Sequence, residues 1–422
     1  MFSAADAERL IFTLVSPVET VETVPLGVAD CLGRVLAAPV TSSLDFPHWD
    51  NSAMDGYAVR ASDVQTAPTQ LSVVEEIPAG RPPQKTVGAG QAARILTGAM
   101  MPAGADTVVM QEETQRQASR TDGAEDAVLI LKVPQPGAFV RRRGSFYRAG
   151  DALLGVGQAI APAEIAILAA AQQTQVTVYR RPRVAILSTG SELVSPDQPL
   201  QPGQIVDSNQ QALTALVTQA GAVPLAMGIV RDDRRSVKAA VASALDQADM
   251  VLSTGGVSVG DYDFVDDVLA ELGATLHIRA VAVKPGKPLT VASWAGGAER
   301  STAHEAPGKL YFGLPGNPAS AMVGFWRFVG PAIAKLSGRR GPWAPDFVLA
   351  EATTELRAGG GRETYLWGEL TAGATGYRFG RAAGLHNSGN LVNLANTSGL
   401  GVVPQGETVI AKGAPVRVLK IR

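Results

Sequence analysis

The chain has 422 residues, a formal net charge of −2, four histidines and one cysteine, Cys31. This length predicts roughly two to four domains, and the small net charge gives no basic surface for nucleic acid. The single cysteine excludes an intramolecular disulfide and a Cys/His zinc cluster. No apolar run approaches ~18 residues, so no transmembrane helix is expected. The acidic N-terminus does not resemble a signal peptide, and a cytoplasmic location is therefore expected.

The first part of the chain predicts two domains. Residues 1–42 together with residues 152–180, which include a helix over 162–171, predict a small α+β linker domain. Residues 43–151 are rich in Pro, Gly, Thr and Val with short strand-like runs, which is typical of a β-rich domain.

Three segments of the β-rich region carry candidate binding residues. The loop FPHWDNSAMDGYAV, residues 46–59, mixes aromatic residues with Asp55 and other polar residues, a composition typical of a ligand site or an interface. Thr97 follows in a Gly-containing turn. Arg141 opens a run of three arginines, which suits an oxyanion and is equally compatible with a solvated basic loop.

Residues 181–338 alternate strand and helix patterns, which predicts a doubly wound, mostly parallel α/β domain. The predicted strands cover 183–187, 223–230, 250–253, 275–283, 289–292 and 310–314. One long apolar helix is predicted over residues 318–336. Residues 339–422 again predict a β domain, resembling a barrel.

The segment STGGVSVGDYD, residues 253–263, lies between a strand and a helix. Its glycines allow backbone N–H groups to converge on an anion, and the helix N-terminus adds positive potential. Asp261 and Asp263 lie beside this anion site, and carboxylates next to a phosphate indicate a hard cation such as Mg²⁺. A solvated helix cap with incidental glycines is the alternative interpretation of this turn.

Other turns of the α/β region also follow strand ends, where ligands bind in such sheets. STGSEL, DSN, KPGKP and LPGNPASA supply hydroxyls, backbone amides, carboxylates and two lysines. Lysines suit phosphate or oxyanion as point charges. Any one of these turns is compatible with a simple surface loop, but together they predict a site for a phosphorylated ligand.

The motifs SAMDGYAVR, LTGAMMPAGAD, STGSEL, DSN, TGGVSVGDYDF, KPGKP and GLPGNPASA occur in this order over nearly the whole chain. The series resembles the molybdopterin molybdenumtransferase family, called MoeA in bacteria and the gephyrin E domain in animals. The resemblance implies an enzyme that takes adenylylated molybdopterin and molybdate, uses Mg²⁺, and releases molybdenum cofactor and AMP. It also implies an elongated homodimer of four-domain subunits with a shared active site, and partners that include the molybdopterin adenylyltransferase and molybdoenzyme apoproteins or their chaperones.

The resemblance also implies roles for individual residues. The catalytic positions are Asp55, Glu192, Asp232, Asp263, Lys284 and Lys287, with Glu192, Asp232 and Asp263 as the metal-binding acids. The substrate-binding positions are Thr97, Arg141, Ser188, Thr189, Gly190, Asp207, Ser208, Gly255, Gly256, Ser258, Gly260, Pro315, Gly316, Asn317, Arg362 and Ser388. Asp55 and Thr97 are implied to reach the site from the second subunit, and Arg362 and Ser388 to bind an oxyanion.

One position departs from the family pattern. The family usually reads Arg-Gly-Glu-Asp where this chain has Arg143-Gly144-Ser145-Phe146, and the missing Asp is counted among the family's functional carboxylates. This departure keeps open a diverged paralogue that handles tungstate or a modified pterin. A non-catalytic, gephyrin-like scaffold is the third interpretation, although a scaffold has no need of the acids and lysines of the α/β region.

Overall fold

The computed structural model describes residues 1–117, 126–256, 265–294, 308–374, 376–384 and 386–421. The chain divides into two compact units. One contains Met1–Ala38, Val156–Ile165 and Thr174–Arg422, and the other contains Pro39–Gly155 and Ala166–Gln173. This two-way division does not test the four domains expected from sequence, whose boundaries stay a prediction.

The larger unit is built on a six-stranded mixed sheet. Its strands, in spatial order, are Val223–Val230, Arg183–Thr189, Met250–Thr254, Lys309–Leu314, Pro288–Trp294 and Thr275–Ala280. The first four strands are mutually parallel, and the last two add in antiparallel orientation. The sheet is therefore parallel over the part whose strand ends carry the predicted turns, and antiparallel only at one edge.

Helices cover both faces of this sheet. The side chains of strand Arg183–Thr189 point alternately to one face and to the other, so each face has its own apolar core. Val184 and Ile186 pack into a core with Leu213, whereas Ala185 and Leu187 pack into a separate core with Val241 and others. The helices of the larger unit are Ala4–Leu14, Val28–Cys31, Ser208–Gln219, Arg234–Gln247, Val265–Glu271, Pro318–Gly324 and Gly330–Leu336. None of the helices in the described ranges is both long enough and apolar enough to cross a bilayer.

The long helix predicted over residues 318–336 is interrupted. A π-helical turn, Phe325–Val329, separates its two α-helical halves, and the Gly330 N–H donates to the carbonyl of Phe325. Pro331 has no N–H to donate to the carbonyl of Arg327, so the regular pattern of helical hydrogen bonds fails at this point. The prediction of one uninterrupted helix was wrong in this respect.

The C-terminal part of the larger unit is a closed barrel. Its strands, in order around the barrel, are Glu363–Gly373, Gly376–Arg381, Phe347–Ala352, Pro415–Lys420 and Gly399–Val403, and the last pairs with the first. Closure leaves no free edge between these strands. The short strand Val283–Lys284 adds in parallel to Glu363–Gly373. The strand predicted over 275–283 therefore ends at Ala280, and only Val283 of its last residues pairs with the barrel.

Shorter pairings complete the larger unit. Val21–Pro25 pairs with Gln175–Tyr179, Leu193–Val194 pairs with Ile205–Val206, and Leu356–Arg357 pairs with Val409–Ile410.

The smaller unit is β-rich. Its six-stranded sheet has the order Thr107–Met110, Gly56–Val59, Gln91–Ile95, Thr69–Ile77, Ala127–Ile130 and Thr114–Gln117. Two small ribbons pair Asn51–Ser52 with Val140–Arg141 and Val40–Thr41 with Ala152–Leu154. The helix Pro162–Ala170 begins in the larger unit and ends in the smaller one.

Candidate functional site

A cavity of about 880 Å³ lies in the larger unit. Its floor is formed where three parallel strands of the mixed sheet end, at Thr189, Thr254 and Leu314. The facing wall comes from the barrel and from the loop that contains Ser388. This is the edge of an open α/β sheet at which ligands bind.

The turn after strand Met250–Thr254 can exist only with glycine. Gly255 and Gly256 have φ values of +83° and +66°, and a Cβ on Gly255 would lie 2.2 Å from the carbonyl oxygen of Thr189. Thr189 Oγ1 also donates to the Thr254 carbonyl at 3.1 Å. The turn after Thr189 and the turn after Thr254 therefore lie in direct contact, and the Gly255 N–H donates to the Leu314 carbonyl at 3.3 Å.

A third turn is hydrogen-bonded to the helix Ser208–Gln219. Asn209 Nδ2 donates to the Gly316 carbonyl at 2.8 Å, and the Ala319 N–H donates to the Ser388 carbonyl at 2.9 Å. These bonds hold Pro315, Gly316 and the Ser388 loop against the sheet end.

Three cationic side chains line the cavity. Lys284 and Lys287 are exposed residues of the turn that leads from the barrel-bound strand Val283–Lys284 back into the mixed sheet. Arg362 Nη1 donates to the Val283 carbonyl at 3.2 Å, which fixes the guanidinium beside this turn. The arrangement gives one wall of the cavity a positive charge suited to phosphate or oxyanion groups.

Two acidic side chains lie near the glycine turn. Glu192 lines the cavity, whereas Asp232 does not, although an added Cβ on Gly256 would be 3.8 Å from Asp232 Oδ1. Burial and the negative charge of Glu192, with a further contribution from Asp233, raise the pKa of Asp232. Among the described residues no three His, Cys, Asp or Glu side chains form a group that could hold a metal ion, and Asp263 lies outside those residues.

Several predicted residues of this region have structural contacts and do not line the cavity. Asp207 is buried and caps the helix Ser208–Gln219, where its Oδ1 accepts from the Gln210 N–H at 3.1 Å. Ser188 is fully buried. Gly190 and Ser208 do not line the cavity, and Ser258 and Gly260 lie outside the described residues.

The remaining predicted residues belong to the smaller unit. Asp55 Oδ1 accepts from both the N–H and the hydroxyl of Thr97, each at 2.7 Å. These two hydrogen bonds lower the pKa of Asp55. Arg141 is half-buried in the ribbon with Asn51.

The two arginines that follow Arg141 already have carboxylate partners. Arg142 Nη1 lies 2.7 Å from Asp50 Oδ2, and Arg143 Nε lies 2.6 Å from Asp45 Oδ2. Two of the three guanidinium groups of this run are therefore already paired with carboxylates. Asp50 also accepts from the Arg143 N–H at 2.7 Å, so its oxygens already hold partners.

Sequence reasoning missed the aromatic part of the cavity wall. Trp367, on the barrel strand Glu363–Gly373, is 1% exposed, and the His386 ring stacks on it with centroids 4.4 Å apart and planes 20° apart. Tyr365 and Leu366 line the same wall. The hairpin that pairs Gly368 with Arg381, together with the bond from the Ala382 N–H to the Trp367 carbonyl at 3.0 Å, brings this strand and loop together.

Three family models match consecutive parts of the chain. They describe the MoeA N-terminal region, domains I and II, over residues 2–171, a probable molybdopterin binding domain over 185–335, and the MoeA C-terminal region, domain IV, over 350–421.

Whole-chain relatives agree with these models. The molybdopterin molybdenumtransferase of a Nostoc species is 53% identical, covering 100% of this chain and 94% of the relative. The Haemophilus influenzae molybdopterin molybdenumtransferase is 37% identical over 81% of this chain and 80% of its own. A solved MoeA protein of molybdopterin biosynthesis from Pyrococcus horikoshii matches with a TM-score of 0.81 at 27% identity, covering 100% of both chains.

Proposed function

The chain belongs to the MoeA family of molybdopterin molybdenumtransferases, which act in molybdenum cofactor biosynthesis, and we propose that its cavity carries out the insertion step with Mg²⁺. In this proposal adenylylated molybdopterin and molybdate enter, the adenylate is hydrolysed, and metal-loaded cofactor and AMP leave. The observation that supports this most directly is the juxtaposition of a glycine turn, three cations and Glu192 around one cavity, with Asp232 close to the glycine turn.

The cations account for the hydrolytic half of the reaction. Negative charge develops on phosphate oxygens as a phosphoric anhydride breaks, and fixed positive groups stabilise that charge most where water is limited. Lys284 and Lys287 stand on a turn that carries two prolines, Pro285 and Pro288. In this proposal the Gly256 amide binds the phosphate and Gly255, whose N–H donates to the Leu314 carbonyl, shapes the turn, because only a Cβ-free turn lets the backbone approach an anion so closely.

Arg362 and Ser388 are the proposed molybdate residues. Molybdate is a tetrahedral dianion and requires N–H, guanidinium and hydroxyl donors. Both side chains line the cavity, and Arg362 is held in place by its bond to the Val283 carbonyl.

The donor set is suitable for Mg²⁺. Carboxylate oxygens are its preferred protein ligands. Burial, and after it the negative charge of Glu192, raise the pKa of Asp232, and a bound cation would relieve this like-charge repulsion. Mg²⁺, when bound, neutralises charge on the phosphate oxygens. In this proposal Glu192 and Asp232 hold it together with Asp263, whose position lies outside the described residues.

The direct test is an anaerobic incubation with adenylylated molybdopterin, Mg²⁺ and either molybdate or tungstate. The proposal expects AMP and metal-loaded cofactor in equal amounts, and both only when Mg²⁺ and an oxyanion are present. AMP release without metal insertion, or insertion without AMP, contradicts it. The tungstate arm tests the paralogue that handles tungstate, since the two oxyanions have nearly the same shape and charge.

We further propose that the active unit is a cytoplasmic homodimer of four-domain subunits, which receives substrate from the adenylyltransferase and passes product to molybdoenzyme apoproteins or their chaperones. Asp55 and Thr97 belong to the smaller unit and line no part of the cavity described above, and the family resemblance implies that they act across subunits. Mixing Asp55→Ala chains with Asp263→Ala chains restores one intact site per mixed dimer if sites are shared. Mixed dimers without activity contradict this arrangement.

A diverged paralogue is the second candidate, and Phe146 is the observation that favours it. Its side chain is 62% exposed and packs on Phe46 with ring centroids 5.7 Å apart, in a position where the family carries an acid. We expect the double change Ser145→Glu with Phe146→Asp to give less than about a tenfold gain in AMP release, or about 1.4 kcal/mol in barrier. A larger gain favours the paralogue, because it means that the natural chain lacks a working acid.

A further inference from the structure

The cavity has a second chemical character away from its charged turns. His386 and Trp367 form a two-ring stack in its wall, with the centroids 4.4 Å apart. The indole is 1% exposed, so its ring cannot serve the cavity directly, whereas the imidazole covers it and is only half-buried. The imidazole is therefore the ring that this stack presents to a ligand.

Hydrogen bonding fixes the orientation of the imidazole. Its Nε2 lies 2.9 Å from the Ala382 carbonyl, and this contact requires the proton on Nε2. Burial lowers the pKa of His386, so the ring is neutral near pH 7. A neutral, oriented aromatic ring is suited to stacking and is unsuited to binding a phosphate.

The indole is kept in this place despite a cost. Trp367 Nε1 and His386 Nδ1 are both enclosed and have no hydrogen-bond partner within the described part of the chain, and an enclosed polar group without a partner destabilises the fold. The position of the indole is thus not explained by a hydrogen bond to its N–H. Its contact with His386 is what the ring supplies to the cavity.

The stack is also held beside the anion-binding turns. The carbonyl of Ser388, two residues after His386, accepts from the N–H of Ala319, which follows the Pro315-Gly316-Asn317 turn. A ligand with a flat ring at one end and a phosphate at the other can therefore contact both parts of the cavity.

We propose that His386, supported from behind by Trp367, is the platform on which the flat nitrogen heterocycle of the substrate stacks. This rests on the proposed function, in which the substrate carries two such rings, a pterin and an adenine, joined through phosphates. The shared chemistry is a heteroaromatic ring attached to a phosphate, and His386 determines the affinity for the ring and not for the phosphate.

The test uses the full chain and isothermal titration with three probes, namely AMP, neopterin and inorganic pyrophosphate. The variants are His386→Ala, His386→Gln, which is planar without an aromatic face, and His386→Phe, which restores one. His277→Ala is the matched control, because His277 is also partly buried and hydrogen-bonded, through Ser293 at 2.8 Å, but does not line the cavity.

Stacking predicts that the Ala and Gln variants bind the ring probe about tenfold more weakly, equivalent to about 1.4 kcal/mol. The Phe variant retains most of the wild-type affinity, pyrophosphate binding is unchanged in all three, and the control matches the wild type. A loss confined to AMP identifies the ring as adenine, and a loss confined to neopterin identifies it as the pterin.

Equal losses in the Phe and Ala variants, a parallel loss of pyrophosphate binding, or wild-type affinity in all variants each overturn the platform. So does a wild-type chain that binds neither ring probe. These results are separable from the proposed function, because molybdenum insertion by a His386→Ala chain with unchanged ring affinity leaves the function standing without the platform. Ring affinity that depends on His386 in a chain unable to insert molybdenum leaves the platform standing without the function.

Discussion

The acids of the smaller unit and the acids of the cavity have opposite electrostatic surroundings. Asp55 accepts two hydrogen bonds from Thr97, and its pKa is lowered. Asp232 lies near Glu192, and burial together with that like charge raises its pKa. The charged form of Asp55 is thus favoured by its own neighbour, whereas the charged form of Asp232 is disfavoured by its surroundings and would gain from a bound cation. The sequence shows the same residue type at both positions, so only the surroundings distinguish them.

The largest effect on stability is expected where a buried charge has both an ion-pair partner and a hydrogen-bond partner. Arg327 is 4% exposed, pairs with Glu8, and donates to Tyr365 Oη at 2.9 Å. Arg327→Met leaves Glu8 without its partner and is expected to lower the free energy of unfolding by about 3 kcal/mol, the lower end of the range for broken buried pairs because Glu8 is partly exposed.

Urea denaturation measures this loss, and the double variant Arg327→Met with Glu8→Gln is the control. Partial recovery in the double variant is expected, since the uncompensated carboxylate is gone. A single variant as stable as the wild type means that the network does not stabilise the fold.

The lysines of the cavity are expected to show the reverse behaviour, with a large effect on activity and a small one on stability. Lys284→Gln or Lys287→Gln leaves thermal stability nearly unchanged, because an exposed charge contributes about 0–1 kcal/mol. Loss of a charge facing the reacting phosphate raises the barrier by about 2–4 kcal/mol. Rates of AMP release and melting temperatures give the two quantities, and wild-type activity in both variants removes the lysines from the site.

Adjacent residues Asp232 and Asp233 give a matched pair for the metal. Asp232→Asn is expected to raise the Mg²⁺ concentration needed for half-maximal activity by at least about tenfold without loss of stability, since a repulsive charge is removed. Asp233 caps the helix Arg234–Gln247 through the Ser236 N–H, so Asp233→Ala is expected to lower stability by about 1 kcal/mol and to change the Mg²⁺ titration far less than Asp232→Asn does. Identical Mg²⁺ titrations for both variants would falsify the assignment of Asp232.

The smallest expected effect is the pH dependence contributed by Asp55. Its lowered pKa means that the folded chain holds this proton less tightly than the unfolded chain, so its contribution to stability is present above the ordinary Asp range near 4 and is lost as pH falls through the folded-state pKa. Asp55→Asn should therefore flatten the acid limb of a plot of unfolding free energy against pH.

The raised pKa of Asp232 makes its contribution to stability depend on pH in the opposite direction. That raised pKa favours the folded chain at low pH, and this contribution is lost as pH rises through the folded-state pKa.

For the Asp55 prediction, an acid limb that is equally steep in Asp55→Asn and in the wild type would show that the Thr97 hydrogen bonds do not perturb Asp55.

Local sequence patterns were sufficient to predict the α/β region and that several of its turns come together, as they do around the cavity. Strand and helix periods are local properties, and residues at the carboxyl ends of parallel strands meet wherever such a sheet forms. The turns containing Thr189, Gly255 and Gly316, together with the two lysines, could therefore be brought together from the amino-acid sequence alone. The order of motifs identified the family for the same reason, because each motif is a short contiguous segment.

Long-range packing, by contrast, establishes which polar residues are already satisfied and what forms the opposite wall. The partners of Arg142 and Arg143 are 92 and 98 residues away in the chain, and no local pattern predicts such pairing. Trp367 and His386 are brought near one another by the hairpin of Glu363–Gly373 with Gly376–Arg381, and the path of the loop after that hairpin stacks the two rings. The local amino-acid sequence specifies the helices and strands. The surroundings that give Asp55 and Asp232 opposite pKa shifts form only when distant parts of the chain pack together.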